Sequence, residues 1–154
     1  MIGRRLAIAA GLLVLGAACS KATPPDEATL RAEDKLVLEG IVASDVRASQ
    51  AMREADTATG KGNPDAASDA VSARARPAIE EALRTAESAT LKTDWGRSKR
   101  DELVSILRDR KAAMPKYEEA VMGGDPEKML AAIEAQAAIE RRALATVAAV
   151  KAGR

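Results

Sequence analysis

The chain has 154 residues, and its 24 lysines and arginines against 23 aspartates and glutamates leave a formal net charge of +1, a balance that gives no support to nucleic-acid binding. It contains no histidine and no phenylalanine, and one residue each of cysteine, tryptophan and tyrosine. Those absences remove Ser-His and Cys-His nucleophile systems, Cys/His zinc sites, c-type haem attachment and the Glu-x-x-His pairs of di-iron bundles, and a lone cysteine closes no intramolecular disulfide.

The first twenty residues are set apart from the rest. Arg4 and Arg5 make a basic start, Leu6 to Ala18 is uncharged and mostly apolar, and Gly16, Ala17 and Ala18 lead into Cys19. That order is a secretory signal peptide. The run is too short for a hydrocarbon core, which needs ~20 apolar residues, so a permanent transmembrane helix is the weaker alternative. The segment Leu15-Gly16-Ala17-Ala18-Cys19 resembles the lipobox of bacterial lipoproteins, with Gly16 standing where members more often carry leucine. The resemblance covers residues 1 to about 20. It implies cleavage before Cys19, acylation of that cysteine by fatty chains such as palmitate, and, from the serine at position 20, sorting to an outer membrane. The expected organisation is a signal peptide over 1–18, a lipidated tether over 19–25 and a folded domain over 26–154.

Alanine and charged residues dominate that domain, which favours long helices over sheets. The first helix is expected over about 26–59, with Leu30, Val37, Leu38, Ile41, Ala48, Met52 and Ala55 on its inner face and Glu27, Arg31, Lys35 and Glu39 outside. Gly60-Lys61-Gly62-Asn63-Pro64 supplies a stop, an N-cap and a proline at the first position of the next helix. That second helix, about 64–91, buries Ala67, Val71, Ala75, Ala78, Ala82 and Ala86, with Ile79 and Leu83 beside them. Pro77 predicts a kink or break near Arg76, because it lacks a donor and clashes with the preceding turn.

The third helix, about 94–122, is capped by Thr93 or Asp94, with Ser98 as a second possible start, and buries Leu103, Ile106, Leu107, Met114, Tyr117 and Val121. Pro115 threatens another kink. Gly123-Gly124-Asp125-Pro126-Glu127 combines a glycine stop, an aspartate cap and a proline start. The fourth helix, about 126–152, is expected to turn Leu130, Ile133, Ala137, Leu144, Val147 and Ala148 inward. Four long helices joined by short turns predict an all-α, up-down-up-down antiparallel four-helix bundle, in preference to an extended coiled coil.

Three charged residues fall in the middle of apolar stripes: Asp45 on the first helix, Arg110 on the third and Glu140 on the fourth. Counting back from the turns places them at similar height, beside Pro77. They form either an internal salt-bridge layer that fixes register or a polar pocket for a small ligand gated by the kinked second helix. On the surface, Arg97, Arg100, Arg108 and Lys111 form a basic strip suited either to ordinary pairing or to an anionic partner. The paired acids Glu80-Glu81, Asp101-Glu102 and Glu118-Glu119 diverge by ~100° on a helix and are expected in solvent. Trp95 and Tyr117 are expected to plug the core at two levels. No catalytic residue, metal site or cofactor beyond the covalent lipid on Cys19 is expected. The reading is a lipid-anchored, non-catalytic interaction or scaffold module of the periplasm with an envelope protein as partner; the alternative is a small-molecule or peptide sensor built on the central polar layer.

Overall fold

The computed structural model describes residues 25–154, so the signal peptide, Cys19 and nearly all of the tether lie outside the described residues. What is described is all helical: α1 (Glu27–Gly60), α2 (Pro64–Asp69), a π-helical segment (Ala70–Ala75), α3 (Arg76–Ser88), α4 (Asp94–Gly123) and α5 (Pro126–Ala152). α2, the π segment and α3 run on without a break, so the described residues make four long helical stretches. None of the described helices is long and apolar enough to cross a membrane.

The caps are those the sequence chemistry calls for. Asp26 accepts from the Thr29 amide at 2.7 Å, Asn63 from that of Ala66 at 3.0 Å, Thr93 from that of Gly96 at 2.9 Å, and Asp125 from those of Glu127 and Lys128, each satisfying donors that a first turn leaves open. Thr93 is thus the cap of α4, and the alternative start at Ser98 is not used. Gly124 sits at φ 63°, the left-handed conformation that ends α4.

The helices continue through both prolines. Ahead of Pro77 the chain neither breaks nor stops; it widens, and the Arg76 amide bonds the Val71 carbonyl five residues back. A π turn opens space in front of a residue that would otherwise crowd the preceding carbonyls. α4 runs continuously through Pro115.

All the apolar positions expected inward on the second helix are buried or half-buried, and those of the third are buried. On α1, Leu38, Ile41, Ala48, Met52 and Ala55 are buried, whereas Val37 is exposed. The fourth helix is the clear correction. Its buried residues are Ile139, Ala143, Thr146 and Val150, while Leu130, Ile133 and Leu144 are exposed at 59%, 43% and 60%. The helix is turned about a third of a revolution from the expected phase. α5 packs chiefly on α4 and only lightly on α1; Ile106, Ile139 and Ala143 make a small apolar cluster of their own beside the main core.

The second stretch also ends earlier than expected, at Ser88 instead of Leu91. Beyond that end the linker meets Asp34, a buried carboxylate on the inner face of α1. Its Oδ1 accepts from the Lys92 amide at 2.8 Å, and its Oδ2 accepts from the Thr93 amide at 2.8 Å and the Thr93 hydroxyl at 2.6 Å. Lys92 also pairs with Glu33. The linker into α4 is therefore pinned to the first helix. Burial works against charge on Asp34, but the Thr93 hydroxyl, the two amides and the Lys92 ammonium more than offset it, and the carboxyl titrates below its ordinary range.

Gly96 packs directly against this clamp: a Cβ there would lie 2.3 Å from Asp34 Oδ2, whereas one at Gly40 would meet nothing within 4 Å. Two chemically identical substitutions should then have opposite signs. In chemical denaturation, Gly40→Ala is expected to stabilise by ~0.5–1 kcal/mol, the usual helix-interior gain, and Gly96→Ala to destabilise by ~2 kcal/mol through forced displacement of a pinned carboxylate.

Candidate functional site

The inner face of α1 carries a second buried acid, Asp45, eleven residues beyond Asp34 and so three turns further along the same stripe. Arg110 of α4 meets it: Nε lies 2.9 Å from Asp45 Oδ1 as an ion contact, and one terminal nitrogen donates to Asp45 Oδ2 at 3.4 Å. The same nitrogen donates to Glu140 Oε2 on α5 at 2.7 Å. The three residues singled out from the sequence are thus brought together. Both Asp45 and Arg110 are almost wholly buried, with side-chain exposures of 5% and 3%, whereas Glu140 keeps 32% and opens toward solvent.

Two further residues of α1 complete the layer. The Ser49 hydroxyl donates to Glu140 Oε2 at 3.2 Å, and Arg53 Nη1 lies 3.8 Å from Glu140 Oε1. Neither was singled out from the sequence, yet both follow from it. They stand four and eight residues after Asp45, close to the same face. Burial pushes the Asp45 carboxyl above its ordinary range; the Arg110 charge opposes that rise and the Glu140 charge adds to it.

Five prominent surface hollows on the described residues are all lined by residues other than Asp45, Arg110 and Glu140. Pro77, expected beside the layer as part of a gate, instead lines a shallow hollow with Arg47, Ala51, Glu54 and Arg74 at the α1/α3 seam. Chemically, a buried guanidinium and the two carboxylates tied to it make a fixed ionic spacer between three helices.

The other charged features resolve into surface pairs. Arg97 meets Asp94, Arg100 meets Asp101, Arg108 meets Glu87 and Lys111 meets Glu80. The adjacent acids likewise each find a cation: Glu81 with Arg47, Glu102 with Lys99, Glu118 with Arg76 and Glu119 with Lys128. Tyr117 is buried and its hydroxyl donates to Asp56 at 2.6 Å; burial and that bond push its titration up. Trp95 is half-buried, with the Arg31 guanidinium 4.8 Å above its ring. Among the described residues there is no cluster of three or more metal-ligating side chains. Compared with family models, with curated proteins and with solved structures, the chain shows no match.

The layer's energetics can be read by removing its centre. Arg110→Met leaves Asp45 buried without its counter-charge and is expected to cost ~3–5 kcal/mol at pH 7. A carboxyl whose folded-state pKa is raised contributes stability fully present below its unfolded value of ~3.9 and lost as pH rises through the folded value. The deficit of Arg110→Met relative to the parent should therefore shrink as the pH is lowered from 7 toward 4, in urea titrations run side by side. The triple replacement Asp45→Leu, Arg110→Met, Glu140→Leu should recover most of the loss. A pH-independent deficit would show that Asp45 is not the stranded group.

Proposed function

We propose that this protein is a lipid-anchored lipoprotein of the bacterial cell envelope, a non-catalytic helical interaction module held at a membrane by acyl chains on Cys19 and facing the periplasm. The observation that carries the reading is the ordered signal ending in Leu15-Gly16-Ala17-Ala18-Cys19, followed within eight residues by the start of α1. A tether over residues 19–25 reaches at most ~25 Å, so the helical domain stays close to the lipid surface. Each buried CH₂ of an acyl chain adds ~0.8 kcal/mol, and two or more chains give an anchor that one alone does not. Ser20 favours the outer membrane by resemblance.

Within this reading the four helical stretches form an up-down-up-down antiparallel bundle. Two observations support that topology. Thr59, Gly62, Val121, Gly124 and Met129 line one hollow, so the two Gly-Pro turns share an end; Asp34 near the start of α1 holds the linker entering α4 at the other. The Asp45–Arg110–Glu140 layer then acts as an internal register pin and the module works through its surface. The sensor alternative needs a cavity at that layer, and none of the hollows described above touches it.

Replacing Cys19 by Ala in the full chain is expected to move the protein from the membrane fraction to the soluble fraction and to abolish incorporation of a clickable palmitate analogue. Unchanged fractionation together with no label on the parent chain would reject the anchor.

A further inference from the structure

The displaced phase of α5 leaves an apolar stripe facing outward, and its pattern says what covers it. Leu130, Ile133, Ala137, Glu140, Leu144 and Val147 follow one another at intervals of three, four, three, four and three. That is the heptad seam of a two-helix coiled coil. It lies on a helix whose opposite side is already committed to α4. Leu130, Ile133 and Leu144 are exposed and Ala137 is half-buried, while Val147 packs partly on the main core and Glu140 turns toward Arg110 and Ser49.

We propose that this stripe is a homodimer interface, on which α5 packs against α5 of a second copy in antiparallel orientation. The inference goes beyond the lipoprotein reading and does not depend on it. Three features of the stripe select a copy of itself over another partner. Its two leucines are symmetric about Ala137: Leu130 lies seven residues before and Leu144 seven after, so a two-fold axis at Ala137 sets Leu130 level with Leu144 of the second copy. The centre carries a small side chain that lets the two axes approach. And the charges on the flank are complementary under the same axis.

Glu134 and Arg141 are both exposed on one side of the seam. Their neighbours are spoken for, Arg142 by Asp109 and Glu140 by Arg110, but among the described residues neither Glu134 nor Arg141 has an ion-pair partner. The two-fold axis keeps that flank facing itself and brings Glu134 within about one residue rise, ~1.5 Å along the axis, of Arg141 in the second copy. The pair occurs twice in the dimer. A parallel arrangement would instead set this flank against the opposite flank of the second copy, where Met129 and Gln136 stand, and would leave both charges without a partner.

The test uses the full chain, co-expressed in bacterial cells from two differently tagged copies, one carrying Leu130→Cys and the other Leu144→Cys, followed by mild oxidation. Cysteines whose Cα atoms are more than ~7 Å apart do not bridge, and in the antiparallel pair two copies of position 130 are ~21 Å apart along the axis. The mixed-tag crosslink is therefore expected to exceed either same-tag crosslink at least ~10-fold. Glu134→Arg in both copies should reduce it several-fold, and adding Arg141→Glu should restore it, a rescue that a folding defect does not produce. Same-tag crosslinks at Leu130 would overturn the antiparallel arrangement; no crosslink, or crosslinks only to other proteins, would overturn the dimer. The parent chain with Cys19 alone is the control: its fractionation reports the anchor and the paired cysteines report the dimer, so either idea can fail without the other.

Discussion

The constraint behind this fold is a core built from small side chains. Ala48, Ala55, Ala67, Ala75, Ala82 and Ala86 are all buried, and the chain has no phenylalanine. Small side chains let helices approach closely, but they offer shallow ridges and grooves, so apolar packing alone resists sliding and rotation poorly. Polar contacts between helices, which are directional, set what the alanines leave loose. Three act at different points: Asp34 on the Lys92–Thr93 linker, Arg110 between Asp45 and Glu140, and the Tyr117 hydroxyl on Asp56. Each joins α1 to α4 or to the linker that enters it. Buried ionic groups seldom add net stability over an apolar filling, so their value here lies in selecting one alignment of α1 and α4.

How much of this could be read from the sequence varies with the kind of signal. Turn chemistry was decisive: Gly60 to Pro64 and Gly123 to Glu127 place the helix ends within a residue or two of where they fall. Apolar periodicity was reliable wherever large residues mark one face, as in α4, where Leu103, Leu107, Met114 and Tyr117 are buried. It failed on α5 because that helix has two apolar faces. Leu130, Ile133 and Leu144 form the bulkier one, and a reading that sends the largest residues inward chooses it; packing against α4 chooses the face with Ile139 and Ala143. The charged layer was legible because three opposite charges in three apolar stripes at matching heights leave few other solutions. Asp34 was missed for a related reason: it follows the same stripe, but its partners are backbone amides of a linker, and backbone donors leave no mark in a sequence. The π turn before Pro77 was half legible, since proline announces a disturbance without saying whether the helix breaks, bends or widens.

The same distinction separates what the domain keeps inside from what it offers. Its charged surface is largely self-satisfied, with thirteen ion pairs outside the buried layer distributed over the four described helical stretches. A surface neutralised pair by pair presents no strong field and gives little long-range steering. Recognition by such a domain must rest on contact, and on α5 contact means the apolar stripe and the two charges beside it. That moves attention from the buried layer, conspicuous in sequence, to a helix face conspicuous only once its packing phase is known.

The two proposals, taken together, constrain each other geometrically. In the antiparallel bundle the start of α1 and the end of α5 share one end of a rod whose longest helix, 34 residues, spans ~50 Å. An antiparallel α5 pair then carries its two tethers at opposite ends. With a reach of at most ~25 Å each, both sets of acyl chains enter one membrane only if the dimer lies flat, its two-fold axis along the membrane normal. A dimer standing upright would instead carry its anchors in two facing bilayers. Tether length and helix polarity thus limit the dimer to a flat pair on one membrane or a bridge between two, and only the flat pair lets each lipid strengthen the binding of the other.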